Sequence, residues 1–257
     1  MRSVHGITHA RDEGSPAPNH EWQDEAIKWC DHWLKGIDNG VDGQTAEDKE
    51  LAVFVRSGQI PDPNMTETEG KWRLHKWPVI GASKRNFYLQ AGKILSRSQG
   101  KPAFEQLAYN SGSGVAAGIW WGDVTGDMSV DDAGSLVYDS GPLVKPLQII
   151  GSAGVRLKVR STSPQVSWSV RLEDVSPDGK VALVTGSLIN SSQRADRLAP
   201  SHVVPGRPYN LALELQFTTW TFQPGHRIRL AISNSQFPMA WPNADRLTAT
   251  LYTGCAD

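Results

Sequence analysis

From Glu50 onward, apolar residues recur at every second position, a period that restricts this chain to half-buried β-strands. Val155, Leu157 and Val159 alternate with Arg156, Lys158 and Arg160. Val166, Trp168, Val170 and Leu172 alternate with Ser167, Ser169 and Arg171. The same pattern sets Leu211, Leu213, Leu215 and Phe217 against Ala212, Glu214 and Gln216. It sets Ile228, Leu230 and Ile232 against Arg227 and Arg229, and Leu247, Ala249 and Leu251 against Thr248, Thr250 and Tyr252. Each strand should turn one face to a core and the other to water. Residues 51–55 read as the first strand and residues 86–89 as another. Pro177-Asp178-Gly179, Pro205-Gly206 and Pro224-Gly225 supply turns between the runs. Such strands predict two packed antiparallel sheets. Burying each Val, Leu or Ile contributes roughly 1.5–3 kcal/mol, enough over many strands for a self-sufficient core.

The first forty residues follow a different period. Residues 1–18 are polar and turn-rich. A helix follows, with Asn19 placed to cap it and Glu21, Asp24 and Glu25 early in it. Trp22, Ala26, Trp29 and Trp33 recur at helical spacing and form one apolar stripe. Lys35 suits the end of the helix dipole, and Gly36 supplies the stop. Residues 37–49 form a polar connector. Residues 100–134 show little β alternation, and a long excursion of that kind is expected to be functional or mobile.

Charge and composition exclude several classes. Lys plus Arg number 26 and Asp plus Glu 27, so no net basic surplus points to nucleic acid. No apolar run approaches the roughly 20 residues of a membrane helix. The two cysteines, Cys30 and Cys255, are far apart and lack metal-ligand spacing. Cys30, inside the helix beside Trp29, is expected to serve burial or helix packing rather than catalysis, and both cysteines are expected to be reduced. That favours a cytoplasmic compartment, which the sequence otherwise leaves open. The ten tryptophans read as core and interface anchors, each with an N–H that needs a partner. The alternative is a sugar-stacking platform, with Trp120 and Trp121 as its candidates.

The chemistry-bearing motifs are sparse. A nucleophile elbow needs Gly-x-Ser-x-Gly, and no serine here has glycine at both flanking positions. Ser113 comes nearest in composition, but Ser111 and Val115 occupy those places. Gly112-x-Gly114 lacks the strand, helix and acidic residue of a dinucleotide site, so no cofactor is expected. Asp123, Asp127, Asp131 and Asp132 suggest either a calcium-binding group or a solvated acidic loop. Their spacing matches no calcium loop, and a solvated loop without metal is expected. His226, at a strand start, reads as a structural hydrogen-bonding residue.

Residues 224–235, Pro-Gly-His-Arg-Ile-Arg-Leu-Ala-Ile-Ser-Asn-Ser, precede Phe237-Pro238 and Trp241-Pro242. That order resembles the C-terminal β-sandwich of the cocaine esterase / X-Pro dipeptidyl-peptidase family of serine hydrolases. Gly70-Lys71-Trp72-Arg73 with Trp77-Pro78, then Phe87-Tyr88-Leu89, resembles a Trp-Arg…Trp-Pro segment of that family and its next strand. Asp131 to Tyr138, Ile150-Gly151 and Leu172 to Gly179 follow collinearly. The resemblance implies a mainly β fold: a jelly-roll, galactose-binding-like β-sandwich over residues 50–257, preceded by a short helical segment. Residues 1–40 would be the C-terminal remnant of an α/β-hydrolase domain.

By the same resemblance, the triad Ser and Asp lie in a catalytic domain that precedes these residues. His9 stands where the family's general base is found, although Gly6 and Ile7 depart from the family's pattern there. It is either that base or an N-terminal histidine without a catalytic role. The chain is therefore expected to be inactive alone and to support and shape the catalytic domain of the same parent protein. Trp22, Trp29 and Trp33 would belong to the packing against that domain; in this chain they should meet the sandwich or another subunit, and a homo-oligomer stays open. The rival reading is a stand-alone carbohydrate-binding β-sandwich module.

Overall fold

The computed structural model describes residues 20–41, 50–118 and 126–254. It begins with helix α1, Trp22–Lys35, followed by strands β1 Glu50–Arg56, β2 Gly70–Lys76, β3 Tyr88–Gln90, β4 Ile94–Ser96 and β5 Ala103–Ala108. A single-turn helix, α2 Ser129–Asp132, leads to β6 Leu136–Asp139, β7 Leu147–Gly151 and β8 Gly154–Ser161. β9 Ser167–Val175, β10 Val181–Asn190, β11 Tyr209–Glu214, β12 Thr218–Phe222, β13 Arg227–Ser233 and β14 Thr248–Thr253 complete the chain.

Two sheets form the sandwich. One runs β10-β9-β13-β6-β4-β3 and the other β11-β8-β14-β5. Every named pair is antiparallel except β4 with β6. The alternating apolar residues fill the space between the sheets. Leu157, Val159, Leu211, Leu213, Ala249 and Leu251 of one sheet form one cluster with Trp168, Val170, Ile228, Leu230 and Ile232 of the other. Gly179, Gly206 and Gly225 take positive φ in their turns, a conformation that a Cβ disfavours.

Two smaller sheets, β12-β7 and β1-β2, attach at the side. Arg56 ties β1 down. Its Nε donates to the Thr219 carbonyl at 3.0 Å, and Nη2 donates to the Val184 carbonyl at 3.0 Å and to Thr218 Oγ1 at 2.6 Å. The guanidinium lies 4.9 Å from the centroid of the Trp220 ring, and burial pushes its pKa down to about 10.

The helix stops as expected. Gly36 is left-handed, and its N–H donates to the His32 carbonyl at 3.0 Å. Asn19 lies outside the described residues. No side chain caps the first turn, where Glu21 holds the cap position.

The structure corrects four expectations. β9 is not wet on its polar face: Ser169, Arg171 and Glu173 are each fully buried, with Gln236 bonded to Ser169 and Asp132 of α2 bonded to Arg171. Residues 100–134 contain a regular strand, β5, whose partner β14 lies far along the chain. Phe217 is exposed, since β11 ends at Glu214 and the alternation does not continue beyond Leu215. Cys30 is exposed rather than packed, since no residue of α1 is buried.

Candidate interdomain surface and its supporting charge network

Exposed apolar side chains concentrate on α1 and the β1-β2 hairpin. Trp22, Trp29 and Trp33 on the helix are 43%, 58% and 56% exposed. Trp29 and Trp33 contact each other with ring centroids 5.6 Å apart, and Leu34 and Ile37 beside them are also open. The predicted stripe therefore exists, but it does not bury itself against the sandwich. On β2, Trp72 and Leu74 are exposed, as are Trp77 and Ile80 in the loop beyond. His20 meets Trp72 at 5.2 Å and joins the start of the helix to the hairpin. Phe54 packs edge-on against Trp72 from β1 at 5.7 Å. Open aromatic side chains at this density on α1 and β2 exceed ordinary scatter.

On the outer face of β9 and β13 lies a charge network that fixes α2 and residues 114–117. Arg171 donates from Nε to Glu173 Oε1 at 2.7 Å and from Nη2 to Asp132 Oδ1 at 2.9 Å. Arg229 donates from Nη1 to Asp132 Oδ2 at 2.7 Å and grips Asp139 with Nε and Nη2 at 2.6 and 2.7 Å. Asp131 accepts the Gly114 and Ala117 backbone N–H groups at 3.0 and 2.8 Å. Gly114 has φ +101°, and a Cβ there would stand 2.8 Å from Gln236 Cα.

Burial pushes the Glu173 carboxyl up to about 8, with the Asp132 charge adding to the rise and Arg171 opposing it. The Arg229 guanidinium is held well above its ordinary value by its bonds to Asp139 and Asp132. Arg171 Nη1 and Glu173 Oε2 have no hydrogen-bond partner among the described residues.

The predicted site residues fare differently. His9, Trp120, Trp121, Asp123 and Cys255 lie outside the described residues. Asp127 organises a turn by accepting the Ser129 and Val181 N–H groups at 2.9 and 3.2 Å. Asp131 and Asp132, expected in a solvated loop, are buried instead and satisfied by N–H and guanidinium donors. Among the described residues, no group of three or more His, Cys, Asp and Glu side chains could hold a metal. Ser113 is buried, and its hydroxyl faces the Gly134 carbonyl at 3.5 Å.

His226 does have an acid partner, one that sequence adjacency could not reveal. Its Nδ1 lies 2.9 Å from Asp174 Oδ1. The other Asp174 oxygen accepts the Trp220 indole N–H at 2.8 Å. Burial raises the Asp174 carboxyl, and these two bonds oppose the rise. Among the described residues, no hydroxyl or thiol hydrogen-bonds to His226, so the pair fastens β9 to β12 and β13 and activates no nucleophile.

Comparison with known proteins gives this geometry a context. The family model described as the X-Pro dipeptidyl-peptidase C-terminal non-catalytic domain matches residues 56–255. A Mycobacterium tuberculosis (strain CDC 1551 / Oshkosh) protein named as a putative serine esterase is 27% identical over 271 residues. That match covers 95% of this chain and 39% of the relative. Cocaine esterase from Rhodococcus sp. (strain MB1 Bresler) is 30% identical over 103 residues, covering 40% of this chain and 18% of the esterase. The crystal structure of an aminopeptidase from a marine sediment Thaumarchaeota archaeon shares the fold. Its TM-score is 0.64 at 18% identity, over 90% of this chain and 42% of that one. This chain therefore spans about two-fifths of the length of the mycobacterial relative.

Proposed function

The chain belongs to the X-Pro dipeptidyl-peptidase C-terminal non-catalytic domain family, and from that premise we propose that it supports and shapes the catalytic domain of a serine hydrolase. The hydrolase is of the acyl esterase or X-Pro dipeptidyl-peptidase type and works through a Ser-His-Asp triad. Residues 1–40 end its α/β-hydrolase domain, and residues 50–257 form the supporting sandwich. His9 is the triad base, while the Ser and Asp come from the catalytic domain.

One observation carries this reading. An apolar stripe of Trp22, Trp29 and Trp33 has formed on α1 and is left open, beside the equally open Trp72 and Leu74. A stripe that size needs a cover. The relatives' names supply its nature, a hydrolase domain.

The purified chain should turn over neither p-nitrophenyl acetate nor Ala-Pro-nitroanilide. Turnover that an organophosphate abolishes would overturn the proposal, because it would require a serine nucleophile within these residues.

A further inference from the structure

The balanced charge totals conceal an uneven distribution. Residues 70–104 carry Lys71, Arg73, Lys76, Lys84, Arg85, Lys93, Arg97 and Lys101 and contain no Asp or Glu. Five of these cations fall between residues 71 and 85, on β2 and the loop after it. All five are exposed, and none forms an ion pair among the described residues. They interleave with the open Trp72, Leu74, Trp77 and Ile80.

β2 also has an edge that no described residue occupies. Among the described residues it pairs with β1 alone. The register places Lys71, Arg73 and His75 on the face of Val55, Val53 and Leu51, and Trp72 and Leu74 on the face of Phe54 and Ala52. Strand edges with open apolar residues invite a further strand unless charges guard them. Here the cations guard only against partners of their own sign.

We infer that an extended segment of alternating acidic and apolar residues adds to the free edge of β2 as a third strand, supplied by the catalytic domain proposed above. The segment's backbone completes the β2 ladder. Its carboxylates face Lys71 and Arg73, while its apolar side chains cover Trp72 and Leu74. A second copy of this chain fits poorly, because β2 against β2 sets cations opposite cations in one phase of register and cations opposite Trp72 and Leu74 in the other. The inference rests on the supporting-domain reading but fails separately from it.

The intact chain is titrated with a peptide alternating Glu and Leu and with one alternating Lys and Leu, followed by tryptophan fluorescence. The acidic peptide should bind at least about tenfold more tightly than the basic one at about 0.05 M salt, with the preference shrinking at about 0.5 M, where screening is strong. The K71E/R73E variant should reverse the preference while keeping the same thermal melt. Equal binding of both peptides, or no binding, would overturn the inference. So would tighter binding to phosphatidylglycerol vesicles, or a salt-sensitive dimer of the chain, since each installs a different occupant.

A second measurement names the supplier. In a chimera of the mycobacterial relative carrying this chain as its C-terminal part, amide exchange of residues 71–76 should slow at least about tenfold relative to the isolated chain. An active chimera with fast exchange at β2 would sink the added strand and leave the supporting role intact. If the chimera does not fold, the peptide titration alone decides.

Discussion

Replacing Glu173 with Gln tests whether the buried network holds a proton rather than a carboxylate. Glu173 is fully buried, and its Oε2 lacks a partner among the described residues. Its carboxyl is pushed from an ordinary 4.5 up to about 8, chiefly by burial. The folded state therefore keeps a proton that the unfolded state releases between those two values. The resulting stabilisation is complete below pH 4.5 and is lost as the pH rises through about 8. At about 1.4 kcal/mol per pH unit, the gap bounds the loss at roughly 5 kcal/mol, of which about 4 falls between about pH 5 and about pH 8.5.

Gln matches the shape of the protonated acid and cannot ionise. E173Q and the parent chain should be about equally stable near pH 5, and the variant should be more stable, by up to about 4 kcal/mol, near pH 8.5. Urea unfolding monitored by tryptophan fluorescence gives both values, with the buried Trp168 and Trp220 reporting on the core. Taking the difference between the two chains cancels the titrating groups that are not coupled to Glu173. If E173Q is the less stable protein near pH 8.5, the carboxylate is ionised and the Arg171 pair outweighs burial, which refutes the reasoning.

Other perturbations probe the same construction. R171M removes the donor to Glu173 and leaves Asp132 with Arg229 alone, and should destabilise the fold by roughly 1–3 kcal/mol in a urea titration. G114A combines a φ of +101° with a Cβ 2.8 Å from Gln236 Cα. It should lower stability by roughly 1–3 kcal/mol, read as a depressed melting temperature. W220F removes the donor to Asp174 while keeping most of the ring, and should cost about 1–3 kcal/mol in the same titration. Cys30 is exposed, so a thiol reagent should label it in the native chain at nearly the rate seen in denaturant. Marked protection in the native state would place it inside a contact.

The strands were legible because their apolar periodicity is a local property. Val155 to Val159, Leu211 to Leu215 and Ile228 to Ile232 all point into the core from the face that alternation assigns. The turns at Gly179, Gly206 and Gly225 were legible because positive φ selects glycine. What alternation cannot reveal is whether a polar face stays wet. Ser169, Arg171 and Glu173 look like the solvent side of β9, but their covers are Gln236 and Asp132, distant in sequence and recruited by the fold. Asp131 and Asp132 failed as solvated residues for the same reason. The His226–Asp174 pair was hidden because its acid lies 52 positions away in sequence. Cys30 was misjudged because an amphipathic helix implies a buried face without saying which molecule buries it.

β9 and α1 obey one rule and reach opposite outcomes. Each presents a face that water alone does not suit: charges spaced for one another on β9, indoles spaced for a surface on α1. On β9 the chain supplies the cover itself. Arg171 receives Glu173 from its own strand and Asp132 from α2, and the segment carrying Asp132 is tied down through Asp131 to Gly114 and Ala117. A network that desolvated is favourable only when closed, because removing one member leaves its partner charged and buried. On α1 and β2 the described residues supply no such cover. Moreover, β1 is anchored to the sandwich through Arg56, with Nη2 2.6 Å from Thr218 Oγ1 and Nε 3.0 Å from the Thr219 carbonyl. A partner seated on β2 would thus be coupled to the sandwich core through a short, buried linkage. Shaping a neighbouring domain requires such stiffness, since a face carried on a loose tether could bind a partner without positioning it.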